Sequence, residues 1–116
     1  MNVEWIRRCC MSFPKATEHV QWECLVFKVA GKIFALTPLE PGAQVLSFKC
    51  TPDDFIELTE LPGIIQAPYF ARNQWVALES EDALPAAEIR KRLRQSYDLV
   101  VAKLPKKAQA ALKYRS

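Results

Sequence analysis

Cys24-Leu-Val-Phe-Lys-Val-Ala-Gly-Lys-Ile-Phe-Ala-Leu36 decides the fold. Side chains alternate across two short runs that meet at Gly31-Lys32. Leu25, Phe27 and Val29 fall on one face of the first run, and Val26, Lys28 and Ala30 on the other. A period of two belongs to a pleated strand, not a helix. Gly31 accepts a positive φ at little steric cost, so the chain reverses there, and Cys24–Ala30 and Ile33–Thr37 pair as a hairpin.

Working outward, Pro38 to Gly42 reads as a turn, with Pro41-Gly42 its strongest breaker. Gln44–Cys50 alternates again, with Leu46, Phe48 and Cys50 on one face and Val45, Ser47 and Lys49 on the other. Thr51-Pro52-Asp53-Asp54 opens a helix: Thr51 caps it, Pro52 suits the first helical position, and the acids sit at the positive end of the dipole. Phe55, Leu58 and Leu61 are expected to face inward before Pro62-Gly63 ends it. Ile64–Arg72 reads as a loop or irregular strand, and Gln74–Glu79 as a clearer strand.

A helix opened by Pro85 carries Ile89, Leu93, Tyr97, Val100 and Leu104 in one apolar stripe, and Pro105 breaks it before a short helix over Lys106–Tyr114. At the other end, Asn2 caps a helix bearing Trp5, Ile6, Cys9, Cys10 and Phe13, which Pro14 stops. Lys15–Glu23 is a connection with a short extended piece near Val20. The order α-β-β-β-α-β-β-α predicts one α+β domain spanning residues 1–116. Its antiparallel sheet carries the helices on one face and leaves the other partly open.

Half of the 116 residues are apolar, one quarter are charged, and Gly is scarce. A chain of this length buries roughly two-thirds of its unfolded surface and needs no disulfide or metal to fold. No run of about 18 apolar residues exists to span a membrane. The acid at Glu4 and the lack of an apolar stretch in the first residues do not fit a signal peptide, so a cytoplasmic location is expected. Cys9, Cys10, Cys24 and Cys50 lack metal-site or disulfide-scaffold spacing and are expected to be reduced. His19 is the only histidine. No phosphate-binding loop, dinucleotide fingerprint or zinc-protease motif is present, and Asp53-Asp54 reads as a capping pair. Neither catalysis, a cofactor nor a metal is expected.

The net charge of +3 is unevenly spread: residues 1–50 carry +2, residues 51–84 carry −6 and residues 85–116 carry +7. Such asymmetry points to an anionic partner or to a solvated helix face.

The ordered set Phe27-Lys28-Val29, Gly31-Lys32-Ile33-Phe34-Ala35, Ser47-Phe48-Lys49-Cys50-Thr51-Pro52, Pro62-Gly63, Ala67-Pro68-Tyr69, Trp75-Val76, Leu84-Pro85, Ser96-Tyr97 and Leu104-Pro105 resembles the MmcQ/YjbR family of small bacterial proteins. The resemblance implies an α-β(3)-α-β(2)-α fold similar to secretion-chaperone-like domains, and a DNA-binding role. One departure is Trp22-Glu23, where the family has Trp-Gly.

For DNA, the residues singled out are Lys28, Lys32, Lys49, Arg72 and Trp75. Lys28, Lys49 and the segment leading to Trp75 can share the open sheet face. There lysines would neutralise phosphates and Trp75 or Tyr69 would stack on a base, while the hairpin with Lys32 at its turn forms a wing. A second basic set lies on the last helices: Arg90, Lys91, Arg94, Lys103, Lys106, Lys107, Lys113 and Arg115. The competing expectation is a protein or peptide partner, or a second copy, held by the half-open sheet with Trp22, Phe34, Tyr69 and Trp75 around it. Lysines on exposed strand positions also blunt sheet edges, and Trp75 also suits a core position.

Overall fold

Residues 2–40, 42–68 and 70–113 are described by the computed structural model. Helix α1 (Val3–Met11) precedes β1 (Thr17–Gln21), β2 (Cys24–Val29), β3 (Lys32–Pro38) and β4 (Leu46–Lys49). Then come α2 (Pro52–Thr59), β5 (Ile64–Gln66), β6 (Trp75–Leu78), α3 (Ala86–Ala102) and α4 (Lys106–Lys113). The strands form one antiparallel sheet in the order β1-β2-β3-β4-β6-β5.

The caps act as their sequences require: Asn2 accepts from the Trp5 N–H at 2.8 Å and Thr51 from the Asp54 N–H at 3.1 Å. The β2–β3 reversal uses Ala30 (φ 50°) and Gly31 (φ 79°). Lys32 already belongs to β3 instead of the turn. The extended piece near Val20 is a full edge strand paired with β2 from Thr17↔Lys28 to Gln21↔Cys24. Its polar side chains masked a pattern that only pairing reveals. The helix opened by Thr51 stops at Thr59, and Leu61, expected inside, is 43% exposed beyond it. Of the Ile64–Arg72 stretch only Ile64–Gln66 is strand.

Phe27, Phe34, Phe48, Leu46, Val76 and Leu78 bury one sheet face against Ile6, Cys10, Ile89, Leu93, Tyr97 and Val100 of α1 and α3. The predicted α3 stripe is buried throughout. A register shift between Phe27 and Lys28 makes Phe27 face Ala35 and Lys28 face Ile33, so Phe34 has no β2 partner. This bulge lets both Phe34 and Ala35 join the helix-side core. Phe34 therefore stands outside the half-open face to which it was assigned.

The opposite face is only partly open. Val26, Leu36, Ala67, Trp75 and Ala77 form a second apolar cluster, flanked by Cys24, Ile33, Ile65 and Phe70. The β5–β6 connection folds back over it.

The β1–β2 hairpin closes on Trp22 (φ 52°) and Glu23 (φ 60°), both left-handed, at the point where the resemblance implied a glycine. A type I′ hairpin turn needs positive φ at both central positions, and the right-handed twist of the strands favours it. For an L-residue this costs about 1 kcal/mol. Glu23→Gly is therefore expected to raise the melting temperature by about 4 °C, with an unchanged far-UV spectrum. A fall would show that the Glu23 side chain contributes more than its backbone strain costs.

Candidate nucleic-acid interface

Antiparallel pairing sorts the connections to two ends of the sheet. One end collects the start of β1, the β2–β3 turn, the end of β4 and the start of β6. Lys15, Lys28, Lys32, Lys49 and Arg72 all lie there. The C-terminus of α3 reaches the same end, bringing Lys103 beside Lys49, and Lys106 and Lys107 follow in the first turn of α4. The opposite end collects the β1–β2 turn and the connections β3–β4, α2–β5 and β6–α3, which carry Glu23, Glu40, Glu60, Glu79, Glu81 and Asp82. The two charged ends draw residues from all three sequence segments, so the polarity belongs to the fold and not to the order of charge along the chain.

None of the eight cations at the basic end makes an ion pair with a described residue. Two of the nearby acids are engaged elsewhere, Asp54 with Arg92 at 3.2 Å and Asp98 with Arg94 at 3.1 Å, while Asp53 in the first turn of α2 makes no ion pair with a described residue.

Lys49 is the most constrained of them. Its backbone N–H donates to the Ser96 hydroxyl at 2.8 Å. Its side chain lines a cavity of about 280 Å³ with Thr51, Asp54, Arg92, Gln95 and Leu99. Burial, and then the positive charge of Lys103, hold its ammonium below the usual lysine range. At the last position of its strand, Lys49 therefore leans over the rim to α3. Lys28 stays on the open face with Val26, so these two lysines share an end of the sheet and not a face.

Trp75 pairs with Lys49 in register, as expected of neighbouring strands. However, it is only 6% exposed and its ring stacks on Phe70 at 4.3 Å. A covered ring offers no platform for a base. Phe70, half-buried beside it, is the aromatic that sequence reasoning missed, because nothing in its immediate neighbours fixes which way an irregular connection turns. Tyr69 and Arg115 lie outside the described residues, as does the side chain of Lys113.

The second basic set divides. Arg90 lies over Trp5 at 5.3 Å, and Arg94 over Phe13 and Tyr97 at 5.5 and 5.2 Å, so both guanidiniums pack on the helical layer. Lys103, Lys106 and Lys107 join the basic end.

The remaining reactive groups are quiet. His19 is exposed on the edge strand, with a ring nitrogen 3.0 Å from the Thr17 hydroxyl. Burial pushes the Cys9, Cys10 and Cys24 thiols up, and Cys50 up to about 11. All four thiols are unbridged. Among the described residues no group of histidines, cysteines and carboxylates could hold a metal, and no helix is long and apolar enough to cross a membrane.

Comparison with curated protein sequences finds no match. The chain is similar to the crystal structure of Deinococcus radiodurans protein DR2400, whose domain is designated DUF419, at 28% identity and a TM-score of 0.88 over 97% of this chain and 88% of that one. It also shares its fold with a Pseudomonas syringae protein at 21% identity and a TM-score of 0.69, over 85% of this chain and 98% of that one. The YjbR family model matches residues 11–99, which takes in the hairpin, the sheet and most of α3, and the chain belongs to the YjbR family.

Proposed function

We propose that this protein is a non-enzymatic binder of nucleic acid, DNA in the first instance, acting through the basic end of its sheet. One observation carries the reading. Lys49, partly buried, is held beside Lys103, and the two carboxylates that line the same cavity, Asp54 and Asp98, are each paired to an arginine. Two like charges kept together at a cost are what an incoming phosphate would neutralise. Lys15, Lys28, Lys32 and Arg72 extend the same field across the end of the molecule, and the acidic pole at the far end would orient it on approach. A binding role fits the side chains better than catalysis does. A nucleophilic cysteine needs a lowered pKa, and all four here are raised. The unbridged thiols suit a cytoplasmic setting.

The test is fluorescence anisotropy with a labelled mixed-sequence duplex at two salt concentrations. If six of these cations reach phosphates, affinity falls about a thousandfold between about 50 and 200 mM salt through counterion release. A flat salt response, or no binding at the lower salt, would remove the nucleic-acid reading. It would favour a protein partner on the edge strand β1, where Val20 is 68% exposed.

A further inference from the structure

The part-open sheet face contains a cleft of about 760 Å³, within the size range of small-ligand sites. Trp22 and Phe70 line it, along with Leu36, Ser47 and Gln44. Trp22 is 68% exposed and stands on the strained turn described above, so its ring is held out over the cleft by backbone that no glycine relaxes. Phe70 is held from behind by its stack on Trp75.

The polar groups make this more than an apolar groove. Ser47 is 6% exposed and alternates with Leu46 and Phe48, which face the helix-side core, so it points into the cleft. Its hydroxyl makes no hydrogen bond to a described residue, and neither does the Gln44 amide. The Ser47 hydroxyl is open to the cleft and can pair with a ligand held there.

Resting on the nucleic-acid reading, we infer that this cleft receives an unpaired base, so that the preferred ligand is a single strand and not a duplex. A flat heteroaromatic ring would lie against Trp22 and Phe70, and its edge would meet Ser47 and Gln44, which offer donors and acceptors. Charge connects the cleft to the basic end. Arg72 follows Phe70 in the same connection, and Lys28 lies on the same face as the cleft residue Cys24, about 13 Å along β2. Glu23, beside Trp22, repels phosphate, so the strand's backbone would run from the cleft toward Lys28 and Arg72. A duplex cannot use the site, because its bases are already stacked and paired.

The experiment compares a labelled 12-nucleotide single strand with the duplex formed on annealing its complement, at about 50 mM salt. The wild-type protein is expected to bind the single strand about tenfold more tightly. Trp22→Ala should lose about tenfold for the single strand and nothing for the duplex, in keeping with a stacked base, and Trp22→Phe should restore most of it. Lys49→Ala with Lys103→Ala should weaken both ligands alike. Equal binding of the two ligands, unmoved by Trp22→Ala, would overturn the cleft while leaving the electrostatic reading in place. So would a Trp22→Ala loss of equal size for both. Binding of neither ligand would overturn both readings.

Discussion

Ser96→Ala is expected to destabilise the protein by about 3 kcal/mol and lower its melting temperature by roughly 10 °C. The bulge in β3 leaves the Phe34 carbonyl without a β2 partner, and the Ser96 hydroxyl donates to it at 2.5 Å. The same hydroxyl accepts from the Lys49 N–H at 2.8 Å, one residue beyond the last β3–β4 pair. Ser96 is fully buried, so alanine would strand a donor and an acceptor where water has little access. Urea unfolding measures the loss directly. A change below about 0.5 kcal/mol, the scale of an ordinary surface substitution, would mean that water enters and re-pairs both groups. The substitution also frees the end of β4, so it should weaken nucleic-acid binding beyond what stability alone explains, because Lys49 is positioned through this bond.

Nothing in the local sequence marks Ser96 for that role. The helical period places it beside Tyr97 on the buried side of α3, but the need for a hydroxyl arises from the bulge at Phe34 in β3, 62 residues away in sequence. The same division runs through the fold. Caps at Asn2 and Thr51, the turn at Gly31 and the stripe from Ile89 to Val100 are legible because each depends on neighbours within one turn or one hairpin. Strand β1 is less legible. Its residues Thr17, Glu18, His19 and Gln21 are polar, and an edge strand needs only one partner, so backbone pairing makes a strand where side-chain pattern does not. The left-handed turn at Trp22-Glu23 is set by strand twist and register, which override the preference of both residues.

The candidate site is legible to a different degree. That Lys28, Lys32, Lys49 and Arg72 gather follows from strand order, and the sequence supports it because alternation places each near a strand end. That Lys103 joins Lys49 depends on the length and tilt of α3, which only packing sets. Trp75 shows the limit most clearly. A tryptophan at a strand start beside basic residues fits both a stacking platform and a core position. The β5–β6 connection decides between them by laying Phe70 over the ring. The aromatic left facing solvent is instead Trp22, which the sequence offered for a protein or peptide partner and not for nucleic acid.

Replacing Lys49 and Lys103 together by alanine is expected to cut nucleic-acid affinity more than any other pair of lysines at this end, with no loss of melting temperature. Each phosphate contact removed lowers the salt slope by about 0.9, so the double variant should lose about 1.8 and correspondingly more affinity at low salt. Stability should hold or rise, because the pair repels in the free protein. The sign follows from the direction of the Lys49 shift. Its folded-state pKa is lowered by burial and by Lys103, so the unfolded chain binds the proton more readily. The penalty is fully present below the lowered pKa and is relieved as pH rises toward the ordinary lysine range. A bound phosphate reverses the balance by favouring the charged ammonium. Affinity should therefore begin to fall at a pH below the ordinary lysine range, and this early fall should vanish in the double variant. Anisotropy titrations from neutral to alkaline pH, paired with melting curves on the same samples, separate the two effects. If the double variant binds with an unchanged salt slope, these lysines do not contact phosphate. If it also melts lower, their aliphatic stems, not their charges, are what the end of β4 requires.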